Sequence, residues 1–112
     1  MLASSIKPAS FFGARLRSIR QSLGLSQEKV GVIIGLDESC SRTRISRYET
    51  GTHEPALATS RLLAQALGVP VAYLYCEDDT LAEIIRLADK LDFQAKQFFL
   101  KHLQDASKDL GA

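Results

Sequence analysis

The sequence predicts an all-α protein, five helices forming one domain and two more following it. Three observations carry this. Apolar residues recur every three or four positions, glycines and prolines fall where those runs end, and no strand-like alternation exceeds four residues. Internal repeats and low-complexity tracts are absent from the sequence.

Phe12, Leu16, Ile19 and Leu23 lie on one face of a first helix, and Gly24 follows as its stop. Ser26 can cap a second, two-turn helix with Val30, Ile33 and Ile34 inward and Gly35 at its end. A third helix, with Ser39 or Ser41 as its cap, has Ile45 and Tyr48 as its apolar side and ends at Gly51. Pro55 opens a fourth unit that buries Leu57, Leu63, Ala66 and Leu67 ahead of Gly68, and Pro70 opens a short fifth helix over "VAYLY". The acidic "CEDD" marks the expected boundary between a domain spanning residues 10–76 and a C-terminal extension over 77–112. In the extension, Thr80 and Glu83 form a capping-box pattern ahead of Leu81, Ile84, Ile85, Ala88 and Leu91. Asp92 can cap a last helix with Ala95, Phe98, Phe99, His102 and Leu103 along one side.

At 112 residues the chain suits one compact domain with an extension, and 46% hydrophobic against 24% charged residues is an ordinary globular balance. The net charge of +1 says little; its distribution says more. Residues 1–61 hold nine Lys/Arg against five Asp/Glu, and residues 62–112 hold five against eight, so a polyanionic partner belongs with the first half. Cys40 and Cys76 have neither zinc-site spacing nor the density of a disulfide scaffold, which fits a reduced, cytoplasmic setting. The N-terminal "MLASSIKPASFF" lacks the apolar core of a signal peptide, and no stretch approaches a membrane span.

The stretch "SRTRISRYETG", residues 41–51, sets three arginines among hydroxyl side chains. With Ile45 at zero on a wheel of about 100° per residue, Tyr48 and Glu49 fall within about 60° of it, and Thr43 and Arg47 point nearly opposite. Burying Ile45 therefore presents Thr43, Ser46 and Arg47 outward, flanked by Arg44, with Arg42 projecting from the first turn. Arginine can bond two acceptors on a guanine edge, and Ser or Thr can serve a phosphate or a base. Surface arginines are often merely solvated, and this stretch alone leaves both readings open. A short helix just before it, with Gly35 between, is also the arrangement in which one helix braces another across a duplex.

The ordered stretches "FGARLRSIRQSLGLSQEKVGVIIGL", "RISRYETG", "EPALATSRLLAQALGVP" and "VAYLY" decide between them. Over roughly residues 11–75 the chain resembles the helix-turn-helix regulators of the lambda-repressor and Cro type, known also as the xenobiotic-response-element type. The resemblance implies a five-helix, lambda-repressor-like DNA-binding domain. It implies that Gln27 contacts phosphate and braces the recognition helix, that Arg42, Thr43 and Arg47 read bases, and that Arg44 and Ser46 touch phosphate. Ser41 joins these as a candidate DNA contact at the start of the helix, and the backbone near Thr50 and Thr52 matches a loop that grips phosphate. Arg20 and Glu49 match a pair joining the first helix to the end of the recognition helix. Two departures stand out. Gly35 and Ile45 are four residues further apart than in relatives, so "LDESCSRT" is expected to lengthen the turn, and Ala56 stands where many relatives have a capping serine.

Other chemistry finds little support. His53 and His102 have no second ligand at metal spacing, and no nucleophile elbow, phosphate-binding glycine loop or carboxylate pair suggests catalysis. Asp78 and Asp79 read as helix-start charges, Cys40 as an inert thiol ahead of an oxidant sensor, and Phe93, Phe98 and Phe99 as a packing or dimer stripe. The expected function is sequence-specific transcriptional regulation, as a repressor, by a homodimer on a pseudo-palindromic operator in double-stranded DNA, without enzyme activity, metal or cofactor. The residues 80–106 helix pair is expected to dimerise or to pack back on the domain. The alternatives are an antitoxin binding a protein partner through its C-terminal helices, and a protein-interaction module that never meets DNA.

Overall fold

The computed structural model describes residues 11–111, which form seven α-helices and no strand. The N-terminal stretch, including the expected domain start at residue 10, lies outside the described residues. The helices are α1 (Phe11–Ser22), α2 (Gln27–Ile33), α3 (Glu38–Thr50), α4 (Leu57–Leu67), α5 (Val71–Tyr75), α6 (Asp79–Asp89) and α7 (Phe93–Asp109). Phe12, Leu16 and Ile19 of α1, Val30 of α2, Ile45 and Tyr48 of α3, Leu63 and Leu67 of α4, and Tyr73 and Leu74 of α5 meet in one core. Leu16, Ile45, Leu63 and Leu74 are fully buried, each contributing roughly 1.5–3 kcal/mol of transfer free energy.

Two glycines set the distances at which helices cross. A Cβ on Gly13 would collide with the carbonyl oxygens of Tyr48 and Glu49, so α1 lies directly against the end of α3. A Cβ on Gly31 would collide with the Ser41 hydroxyl, so α2 and α3 touch through a glycine and a serine. That hydroxyl is satisfied by donating to the Glu28 carbonyl at 2.6 Å.

The second contact explains where the four additional residues go. They do not lengthen the turn; they form the first turn of α3, which begins at Glu38 with Asp37 at the N-cap position. Ser39 and Ser41 are inside the helix and cap nothing. The turn itself stays short because Leu36, half-buried against the core, donates its amide to the Gly31 carbonyl at 2.9 Å.

Several expected burial positions also change. In α2 the inward residues are Val30 and Gly31, and Ile33 is 46% exposed. Turning Gly31 toward α3 rotates Ile33 to solvent. Leu23 lies past the end of α1 and is exposed. Leu57, the first residue of α4, is 54% exposed, because α4 turns Ser60, Leu63, Ala64 and Leu67 inward; Ala56 before it supplies no side-chain cap. Gly51 and Gly68 end α3 and α4 in the left-handed conformation that glycine adopts without strain.

In α6 the cap is Asp78, whose Oδ1 accepts the Leu81 amide at 2.7 Å, in place of the Thr80–Glu83 box. Glu83 is engaged elsewhere, accepting from Arg86 at 2.9 and 2.6 Å. Ala82 is buried in the common core and Ile85 packs against it, so α6 is fastened to the body. Arg15 reinforces the attachment: its guanidinium donates to the Cys76 and Glu77 carbonyls at 2.9 and 3.3 Å and pairs with Asp79 at 2.8 Å. Helix α7 begins with Asp92 Oδ1 accepting the Ala95 amide at 2.8 Å and buries none of its residues. With α7 projecting, the radius of gyration is 16.3 Å, well above the roughly 13 Å of a compact chain of this size.

Candidate nucleic-acid interface

The inner side of α3 is closed by packing. Ile45 and Ser41 are 0% exposed, and Tyr48 and Glu49 are buried with them. A regular helix that commits this arc inward must turn the opposite arc to solvent. Thr43, Arg44 and Arg47 are exposed there, Arg42 is exposed at the edge of the inner arc, about 60° from Ile45, and Ser46 is half-buried between them. Ser41 is thus corrected from DNA contact to packing residue: its hydroxyl is enclosed between α2 and α3. A shallow depression of about 370 Å³ is lined by Gln27, Arg42, Thr43 and Ser46, bringing the start of α2 and the outer face of α3 onto one surface.

Glu49 organises the surroundings. Its side chain is wholly buried and accepts from Arg20 Nε at 2.6 Å, from a second Arg20 nitrogen at 3.1 Å, from Gln27 Nε2 at 3.1 Å and from Arg17 Nε at 3.3 Å. Hydrogen bonding to Glu49 outweighs partial burial and raises the Arg20 guanidinium further above its ordinary range. Arg20 also donates to the Leu25 carbonyl at 2.9 Å, tying the α1–α2 turn to the same centre. The buried carboxylate therefore engages Arg17 and Arg20 of α1 and holds the amide nitrogen of Gln27. Among the described residues, Arg42, Arg44 and Arg47 make no ion pair. Three exposed arginines around the solvent side of α3, none ion-paired within the described residues, give this helix a positive surface suited to an anionic one.

At the end of α3, Thr50 Oγ1 lies 2.9 Å from Thr52 Oγ1 and 3.3 Å from the Arg47 carbonyl, and both threonines are exposed. Arg17 is the participant that sequence reasoning missed. Its signal was available: it lies three residues before Arg20, one turn away on the same helix face. Among the described residues no group of three or more His, Cys, Asp or Glu is gathered for a metal, and no helix is long and apolar enough to cross a membrane.

The helix-turn-helix family profile matches residues 16–74, the segment from the middle of α1 to α5. The chain belongs to the helix-turn-helix family of DNA-binding transcriptional regulators. This helix-turn-helix protein is 33% identical over 91 residues to the cryptic phage CTXphi transcriptional repressor RstR of Vibrio cholerae, covering 77% of this chain and 78% of that one. It is 36% identical over 63 residues to YonR, an SPbeta prophage-derived HTH-type transcriptional regulator of Bacillus subtilis (strain 168), covering 56% of this chain and 55% of the relative. It also superposes on the crystal structure of the transcriptional regulator BswR with a TM-score of 0.78 and 38% identity, over 83% of this chain and 92% of that one. That share exceeds the matched family segment, so the likeness of this helix-turn-helix regulator to BswR reaches beyond residues 16–74.

Proposed function

We propose that the chain is a sequence-specific repressor that binds a pseudo-palindromic operator as a homodimer, with α3 lying in the major groove. The observation that carries the reading is the division of α3 between a sealed inner arc and an outer arc of unpaired arginines. In this reading Arg42, Thr43 and Arg47 read base edges, and Arg44 and Ser46 hold phosphates at the groove margins. Gln27, with one amide hydrogen taken by Glu49, offers its second N–H and the start of α2 to the phosphate backbone. Thr50 and Thr52 grip the next phosphate. A named repressor among the relatives supports the regulatory sense, and a genomic target implies a cytoplasmic working place.

The dimer element is the outer face of α6 together with α7. Leu81, Ile84 and Leu87 form an exposed row on α6, and Phe98, Phe99 and Leu103 form another on α7, where Phe98 stacks edge-on to Phe99 and His102. Exposed apolar rows of this kind on a small chain call for a partner. A second copy supplies the two-fold symmetry that two half-sites about 34 Å apart require.

Selection of bound duplexes from a random pool tests the reading directly. Two related half-sites in inverted orientation are expected, and recovery of unselected sequence would end it. Arg47→Ala should cost roughly 1–3 kcal/mol on the preferred site and relax one base position, whereas Gln27→Ala should weaken all duplexes alike.

A further inference from the structure

The additional turn at the start of α3 brings a second kind of chemistry to the groove-facing side. On the same wheel, with Ile45 at zero, Ser39 falls at about 120°, between Ser46 at about 100° and Thr43 at about 160°. It is exposed, one turn nearer the helix N-terminus than Thr43. Glu38, at about 20°, lies off this stripe. The Cys40 thiol is half-buried and turned to the Asp37 carbonyl at 3.4 Å.

Asp37 occupies the N-cap position with extended backbone, φ −65° and ψ 140°, yet its carboxylate caps no helix amide. Its Oδ2 instead accepts the Ser39 hydroxyl at 2.9 Å. With its proton committed, Ser39 Oγ has only lone pairs to offer, and the carboxylate beside it is likewise an acceptor. The side chains of Asp37 and Ser39 at the leading end of α3 are therefore an acceptor pair, whereas those of Arg42, Arg44 and Arg47 behind them are donors only.

The major-groove edges divide along the same line. Adenine N6 and cytosine N4 are amino donors, and guanine O6 and thymine O4 are acceptors. An acceptor pair is drawn to the first class and repelled by the second. In a helix-turn-helix complex it is the N-terminal part of the recognition helix that meets base edges. We infer that Ser39, oriented by Asp37, is a further specificity-determining residue that selects an adenine or cytosine edge at a base pair adjoining those read by Thr43 and Arg47. The inference rests on the DNA-binding reading of α3 and adds one position of defined chemistry to its half-site.

The test is the same random-duplex selection, run on the full chain and on Ser39→Ala and Asp37→Ala, with thermal unfolding of each protein measured alongside. Neither side chain caps α3 or enters the core, so both variants should melt as the parent does. The parent should enrich adenine or cytosine at one column in each half-site. Ser39→Ala and Asp37→Ala should lower that column's enrichment about five- to tenfold and leave the guanine columns intact, the size expected of one lost hydrogen bond. Variants that select the parent's profile at every column overturn the role of Ser39 and leave the DNA reading standing. A parent that enriches no sequence overturns the DNA reading itself, and the role of Ser39 with it.

Discussion

Glu49 shows how a single buried charge can decide what the surface offers. Taken alone, a carboxylate with no exposed atoms would be severely destabilising; surrounded by Arg17, Arg20 and Gln27 it becomes the joint between α1, α2 and α3. Glu49→Ala should leave the mostly buried Arg20 without its partner and lower unfolding free energy by about 3 kcal/mol, read from urea denaturation. The same substitution should weaken DNA binding in the surviving folded fraction, because Gln27 loses its anchor. Gly31 gives a second test at this scale. Gly31→Ala inserts a methyl group where the Ser41 hydroxyl sits, and a loss of roughly 1–3 kcal/mol is expected in the same assay.

Helices were legible in the sequence wherever large apolar side chains marked the inward face and glycine or proline marked the end. The stretches from Phe12 to Ile19, from Leu63 to Leu67 and from Val71 to Tyr75 are of this kind. The start of α3 was not. Residues 37–44 read "DESCSRTR", with no apolar marker, and the inward residue of that turn is a serine whose fit depends on a glycine in another helix. The inward face of α2 was misread for the same reason: periodicity counts bulky residues, and closest approach here uses the smallest. At the site, the outward set of Thr43 and Arg47 followed from Ile45, Tyr48 and Glu49 sharing one arc. Ser41 was miscast because a serine among arginines has the composition of a DNA contact and, in this place, the environment of a core residue. The last helix stands at the other extreme. With no buried residue, α7 depends on its cap, and Asp92→Ala should reduce helical circular dichroism by loosening its first turn, for a loss of about 1 kcal/mol.

For the molecule as a whole, the apolar rows on α6 and α7 are left without a partner among the described residues. If a second copy covers them, the melting temperature of the full chain should rise with protein concentration, as mass action requires. Leu103→Asp removes one of the most exposed leucines of that face without touching the core, and should give a monomer by sedimentation with a concentration-independent melting temperature. A dimer unchanged by this substitution would place the interface elsewhere.

Arg15 has a consequence for DNA geometry. It locks the beginning of α6 to α1, and α1 is joined through Glu49 to α3, so if α6 meets a second copy as proposed, that face and the duplex-facing side of α3 share one frame. Two such frames related by symmetry act as a fixed-length ruler. Inserting a single base pair between the half-sites turns one about 34–36° around the duplex axis relative to the other. A stiff ruler cannot follow that rotation, so affinity should collapse at small insertions and return when a full turn of duplex has been added.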